Sequence, residues 1–276
     1  MIKAKIANIT FFDNFLSIIN KFVPQCQFIV SKEKTSAYCK NPSSFASSRL
    51  LLDTNILTLD QTSKYDSATI CIRNIIAFKS ALSIVKEVED IKELTLDLDE
   101  VEIDNAAVVK SIKYKSNKGG SFNIITIDFD VIKEFVSKDA QIKLQQDWIF
   151  NVNTRNLDLM QSKTNGIVNL DDVSVYIYPK DDKAIIELTS KKSASVNSIA
   201  LPLADSFKGS LDNADFKEIA IHESSFRIFN ILKVVDPNDI ICFFNIENNI
   251  FFVTSVLKAD NLYVKSRLFI QMVKGK

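Results

Sequence analysis

Carboxylates are the most concentrated reactive groups in this chain. Between Glu87 and Asp104 lie Glu89, Asp90, Glu93, Asp97, Asp99, Glu100, Glu102 and Asp104, with Lys92 as the only base among them. Paired carboxylates of this kind can hold a divalent metal. Here Asp97 and Asp99 alternate with Leu96 and Leu98, which is the pattern of a strand with one face in water. The run therefore reads as a solvated outer surface, and no metal site is assigned. His222 is the single histidine, so multi-histidine metal sites and relays using a second histidine are excluded. Its place between a strand and a helix suits a structural role. No GxxxxGK[ST], GxGxxG or GxSxG motif occurs, and Gly119-Gly120 falls in a hairpin turn rather than a phosphate cradle. Trp148 opens a strand and reads as core. No catalytic residue and no cofactor is expected.

The elements that position these groups repeat. Lys3–Ala7 is strand-like, and Thr10 with Asp13 stands at capping-box spacing before a helix ended by Pro24. Phe11, Phe12, Phe15, Ile18, Ile19 and Phe22 make its apolar face, with Asn14, Ser17 and Lys21 opposite. Strand-like runs follow at Gln27–Val30, Thr35–Cys39, Arg49–Asp53 and Ser67–Arg73. Asn74 opens a second helix with Ile75, Phe78, Leu82 and Val85 on one face and Lys79, Ser83 and Lys86 on another. Leu94–Leu98, Ala107–Lys115 and Phe122–Ile127 alternate as strands, the last preceded by the turn Asn117–Gly120.

The second half repeats the order. Trp148–Val152 precedes a helix from Thr154 to about Thr164, closed by Asn165-Gly166. Its core side is Leu157 and Met160, and Arg155, Ser162 and Lys163 are polar. Val173–Tyr178 and Lys183–Thr189 form a hairpin around Pro179–Asp182, and Ser198–Leu203 and Phe216–Ile221 are further strands. A fourth helix starts at Glu223, with Phe226, Phe229 and Leu232 inward and Arg227, Asn230 and Lys233 outward. Asp239–Ile246, Asn249–Leu257 and Leu262–Val273 close the chain as a meander. Helices thus start near residues 10, 74, 154 and 223, at intervals of about 64 to 80 residues. One helix per several antiparallel strands predicts an α+β fold with the helices gathered on one face of the sheets. The mixed stretch Asp128–Asp147 is the connector between two similar halves, giving domains at 1–128 and 147–276 with a connector at 129–146.

This pattern resembles the DNA polymerase sliding clamps, in the two-domain form found in proliferating cell nuclear antigen and in tailed-phage clamps. SFNIITIDFDV (Ser121–Val131) is similar to the last strand of a clamp's first domain running into its connector. NPSSFASSRLLL (Asn41–Leu52) is similar to the loop and strand beside the clamp partner pocket. The resemblance implies two clamp domains, each with two strand–helix–strands repeats, and a head-to-tail homotrimeric ring. It implies that Ala106–Lys115 and Lys183–Ser190 are the edge strands that pair between copies. Lys21, Lys79, Lys86, Arg155, Lys163, Arg227 and Lys233 would then line the hole and meet duplex DNA through phosphate, without reading sequence. Without that fold, the same cations are simply solvated. A partner groove is implied at Phe45, Val131, Ile132, Phe135, Phe269, Gln271 and Val273, where a replicative polymerase and an ATP-driven loader would dock. The Lys-, Asn- and Ile-rich composition suits a phage.

Composition bounds the alternatives. Lys+Arg 34 against Asp+Glu 34 neither requires nor excludes a nucleic-acid partner, because segregation of charge decides that. Phe 20 against Gly 5 and Pro 5, with 46% hydrophobic residues, supports packed cores rather than disorder. Cys26, Cys39, Cys71 and Cys242 are scattered with no CxxC, as in a reduced cytosolic protein with ordinary buried thiols. MIKAKIANITFF lacks the apolar core of a signal peptide, and no apolar run is long enough for a membrane span. The expected setting is cytoplasmic, within a host cell if phage-encoded. Two rivals remain: a β-rich structural or assembly protein, such as a virion component, joined through strand edges, and an enzyme using the acidic run with a metal.

Overall fold

Phenylalanine spacing builds the core of the first half. Phe11, Phe12 and Phe15, with Leu16, Ile18 and Ile19, lie on one side of a 3.6-residue repeat, and all are buried. The computed structural model of the chain describes residues 1–23, 26–41, 48–89, 91–103, 106–116, 120–126, 148–151, 173–181, 183–192, 195–204, 208–209, 219–222, 241–245 and 250–271. The chain divides into two compact units. The first takes in Met1–Lys40, Leu50–Ile142 and Lys258–Lys265, and the second Asn41–Arg49, Lys143–Leu257 and Ser266–Lys276.

In the first unit the elements are β1 (Ile2–Ile6), α1 (Ile9–Phe22), β2 (Cys26–Ser31), β3 (Thr35–Asn41), β4 (Ser48–Thr54) and β5 (Leu57–Leu59). They continue with β6 (Ser67–Ile72), α2 (Ile75–Glu89), β7 (Leu94–Ile103), β8 (Ala106–Lys115) and β9 (Ser121–Ile125). The strands run in the order β4-β3-β2-β6-β8-β7-β1-β5, and β9 pairs with β8. Neighbours with a described register are antiparallel except β6 and β8, which run parallel where Ala68–Thr69 meet Ala107–Val108. That short contact puts a third strand against β8, beside β7 and β9.

Both helices sit on the same face of this sheet. Phe15 of α1 packs on Phe28 of β2, with ring centroids 5.8 Å apart, and Phe78 of α2 packs on Phe122 of β9 at 6.4 Å. Phe12 meets Phe78 edge-on at 5.9 Å and so locks the two helices together. Aromatic pairs of this geometry add about 0.5–1.5 kcal/mol each beyond the area they bury. Residues of that sheet face are buried in turn: Ile2, Ala4 and Ile6 on β1, Leu94, Leu96 and Leu98 on β7, Ile112 on β8. The residues between them face outward, among them Thr95, Asp97 and Asp99. The acidic strand is therefore the outer face of the sheet, as its alternation predicts.

The first helix starts two residues earlier than the capping-box spacing implies. Asn8 is its N-cap: the backbone there is extended, and its Oδ1 accepts the N–H of Phe11 at 2.9 Å. Thr10 lies inside the first turn and is exposed. Asn is as good a cap as Ser or Asp, and Ile9, which is buried, needs the place that a Thr10 cap would deny it. At α2 the cap is Asn74 as expected, with Oδ1 accepting from Ala77 N–H at 3.0 Å.

The second unit contains β10 (Trp148–Asn151), β11 (Val173–Lys180), β12 (Lys183–Lys192), β13 (Ser195–Ala204), β14 (Lys208–Gly209), β15 (Ile219–His222), β16 (Ile241–Asn245), β17 (Ile250–Ala259) and β18 (Leu262–Gln271), except for Lys258–Lys265, which belong to the first. One sheet runs β14-β10-β16-β17-β18, and the other runs β13-β12-β11-β15. Pro179 belongs to β11 rather than to the hairpin turn. The turn lies between Lys180 and Lys183, which stand opposite each other, and holds Asp181 at φ 50. A two-residue hairpin loop needs a residue in this left-handed region, and Asp tolerates it. The helices expected at 154–164 and from Glu223, and the connector at 129–146, lie outside the described residues. No helix among the described residues is long and apolar enough to cross a membrane.

Strand order corrects one expectation directly. Ala106–Lys115 and Lys183–Ser190 are not edges. β8 is covered by β7 along one side and by β6 and β9 along the other. β12 lies between β11 and β13 over its length. Among the described residues, the strands with one open side next to these are β9 and β13. Pro202 within β13 fits that place, because a proline cannot donate to a ladder on both sides and is confined to edges.

Candidate nucleic-acid interface and partner surfaces

The surface that matters is the side of α1 and α2 turned away from the sheet. On α2 the exposed residues include Ile76, Ala77, Ser80, Ser83, Ile84, Lys86 and Glu87. Lys86 stands in the last turn, where a cation also complements the helix dipole. Lys21 occupies the last turn of α1. Lys86 is exposed, and a cation near a helix C-terminus is favoured even without a ligand.

Lys79 is placed differently. Its ammonium donates to Ser17 Oγ on α1 at 2.5 Å and stands 3.6 Å from Asp13 Oδ1. Ser17 Oγ in turn donates to the Asp13 carbonyl at 2.8 Å. Asp13 Oδ1 is closed off from water and has no hydrogen-bond partner, so the Lys79 charge is what compensates it. Lys79 thus ties the two helices together, and its charge is shared with a carboxylate. The sequence pattern put it on a polar face but could not show a partner 62 positions away. Arg73, just before the Asn74 cap, is exposed at the start of the same helix and was not singled out by helical spacing, because it precedes the helix. Arg155, Lys163, Arg227 and Lys233 lie outside the described residues.

The opposite face of the sheet carries mixed charge. Lys5 pairs with Glu93 at 2.5 Å, and Lys113 pairs with Asp99 at 3.4 Å. Lys34 lies 3.7 Å from Asp53. The acidic run is therefore partly neutralised by lysines of neighbouring strands, and exposed pairs of this kind contribute little to stability. Among the described residues no group of three His, Cys, Asp or Glu is arranged to hold a metal. Glu100 accepts from the Met1 ammonium at 2.7 Å. Burial works against its charge, but that contact and a backbone hydrogen bond hold its carboxyl below the ordinary glutamate range.

Of the expected partner groove, Phe269 and Gln271 lie on β18. Phe45, Val131, Ile132, Phe135 and Val273 lie outside the described residues. His222 ends β15 opposite Ser174, and Trp148 opens β10 opposite Gly209 and Phe244.

The open edge of β9 can be read group by group. Thr126 N–H donates to Lys110 O at 2.9 Å, and Gly120 O accepts from Ser116 N–H at 2.8 Å. In an antiparallel ladder, alternate residues bond to alternate sides. The even positions 120 to 126 therefore serve β8, and Ser121, Asn123 and Ile125 turn their backbone groups to the open side. The same three residues are exposed, Ile125 at 77%. Among the described residues nothing pairs with that side, and an edge ending in an exposed isoleucine offers itself for pairing.

A helix pair on one face of a largely antiparallel sheet, as the first unit shows it, is the arrangement of the sliding-clamp fold. Solved structures share it from end to end. Proliferating cellular nuclear antigen from Entamoeba histolytica superimposes with a TM-score of 0.64 at 17% identity, over 99% of both chains. The A. fulgidus PCNA bound to the C-terminal region of FEN-1 gives 0.65 at 12% identity over 100% of both. The PCNA2–PCNA3 complex from Sulfolobus tokodaii gives 0.63 at 10% identity over 98% of both. No protein-family model matches the chain, and no curated protein does. The likeness is carried by three-dimensional arrangement, with little of it in residue identity.

Proposed function

We propose that this chain is a non-enzymatic DNA polymerase processivity factor, closing as a homotrimeric ring around duplex DNA. The observation that supports the reading is the match of its fold to PCNA chains over 99–100% of both chains. On this reading the chain has clamp domains at 1–128 and 147–276 and a connector at 129–146. The free edges β9 and β13 pair between copies, and Ile125 is covered when they do. Head-to-tail pairing of two different edges is heterologous, and closes only if the rotation returns to the start. Its Lys-, Asn- and Ile-rich composition supports a viral, phage-like replisome as the setting.

The mechanism is topological. Lys21, Lys86, Arg155, Lys163, Arg227 and Lys233 attract phosphate without reading bases, which lets the ring slide. Lys79 acts on the interface through α1, as the tie that holds the helix pair in place. The ring tethers a polymerase whose peptide tail docks at Phe45, Val131, Ile132, Phe135, Phe269, Gln271 and Val273. Tethering makes each re-encounter with the primer end effectively intramolecular. A loader driven by ATP opens the ring.

The experiment is retention on DNA. Lys86→Glu with Arg227→Glu is compared with the natural sequence on nicked circular plasmid, with the oligomeric state followed in parallel. The variant is expected to keep its assembly and lose retention, most strongly at low salt. Unchanged retention would remove the DNA role. It would leave the assembly-protein reading, which shares strand-edge association but does not need cations on the helices.

A further inference from the structure

Two of the buried cysteines face each other across neighbouring strands. β2 and β3 pair antiparallel with Gln27 opposite Tyr38 and Phe28 opposite Ala37. The same register sets Cys26 opposite Cys39. Both side chains are on the core face with Phe28 and Ala37, and both are buried. Their sulfurs are 3.1 Å apart. Opposed residues in an antiparallel pair have Cα atoms about 4.5–5.5 Å apart, which is inside the roughly 4.4–6.8 Å span that a disulfide accepts. Bond formation therefore asks for about 1 Å of sulfur movement and no change of register.

Cys71 is excluded as a partner by the same ladder. It lies opposite Gln27, one residue out of phase with Cys26, and so on the other face of the sheet. There it packs with Val108 and Val101.

We propose that Cys26 and Cys39 are a reversible cross-strand disulfide site, closed by a small two-electron oxidant such as hydrogen peroxide. One sulfur, as thiolate, attacks a peroxide oxygen; the O–O bond breaks, and a sulfenic acid and hydroxide form. The second sulfur attacks the sulfenic sulfur, the S–S bond forms and hydroxide leaves. The two hydroxides take up the two thiol protons as water. Two electrons pass from the thiols to the peroxide. A dithiol reverses the bond by exchange. Burial, and then the neighbouring Cys39, push the Cys26 thiol well above its ordinary range, so closure is slow and demands sustained oxidant. The bond ties β2 to β3 around the turn that joins them.

The test uses the intact protein. It is treated with hydrogen peroxide, quenched, unfolded in iodoacetamide and digested with trypsin without reduction. The tryptic segments 22–32 and 35–40, which hold Cys26 and Cys39, are expected as one linked species. Segment 65–73 is expected to carry alkylated Cys71. Cys71→Ser keeps the link, and Cys39→Ala abolishes it. The oxidised form is expected to melt about 6–12 °C higher, and dithiothreitol removes the gain. Segments 22–32 and 35–40 recovered separately, alkylated or as sulfinic acids, would overturn the proposal. So would linkage of either one to Cys71.

Discussion

Proline at position 123 separates the folding of the first unit from its association with other copies. Asn123 is the middle of the three β9 residues whose backbone groups point away from β8. Removing its N–H leaves the β8 ladder whole, and an outward-facing edge position is where a strand tolerates proline. If β9 adds to a strand of another copy, Asn123→Pro deprives one carbonyl of that strand of its donor at the centre of the contact. A buried acceptor left without a partner costs about 1–3 kcal/mol, and every 1.4 kcal/mol is tenfold in affinity. Association should weaken by about 5- to 150-fold at each interface. Sedimentation velocity over a concentration series reads this directly, with far-UV circular dichroism to show that the fold is kept. Ile124→Pro is the contrasting variant, since it strikes the side that serves β8 and should destabilise the monomer itself. If Asn123→Pro assembles as tightly as the natural sequence, β9 is not an assembly edge.

Other outcomes follow from local chemistry. Asn8→Ala should lower stability by about 1 kcal/mol in urea titration, and Thr10→Ala by much less; the reverse order would restore the cap to Thr10. Burial raises the Cys71 thiol to about 11, so its alkylation in the folded protein should climb roughly tenfold per pH unit from 8 to 10. A plateau near pH 9 would show an ordinary thiol. Because folding raises this thiol, its contribution to stability is whole below the ordinary value of 9.0 and is lost as pH rises toward about 11. Urea midpoints should therefore fall over that window, and by less in Cys71→Ser.

Side-chain periodicity carried most of what was legible beforehand. The spacing of Phe11, Phe12, Phe15, Phe78 and Leu82 placed both helices and their inward faces, because burial of apolar stripes is a local property of the pattern. Alternation placed β7 and turned Asp97 and Asp99 outward. Which strands lie at the edges was not legible. β8 alternates and carries lysines as an edge strand does, yet β6, β7 and β9 surround it, and the parallel β6 contact comes from a segment about 40 residues earlier in the chain. The sequence places Lys79 among the DNA-facing cations, because nothing in its own helix shows Asp13. Thr10 and Asp13 offer a familiar capping spacing two residues after Asn8, which hides the true cap. Short β5 was missed, since three residues are too few to alternate convincingly.

On the proposed function, three copies of the chain close into a ring. The mass in solution, by size-exclusion chromatography with light scattering over a range of concentrations, tests it most directly. A single species of about 93 kDa, three times the 31.1 kDa chain, is the predicted result. A species that stays at the mass of one chain or two would contradict it.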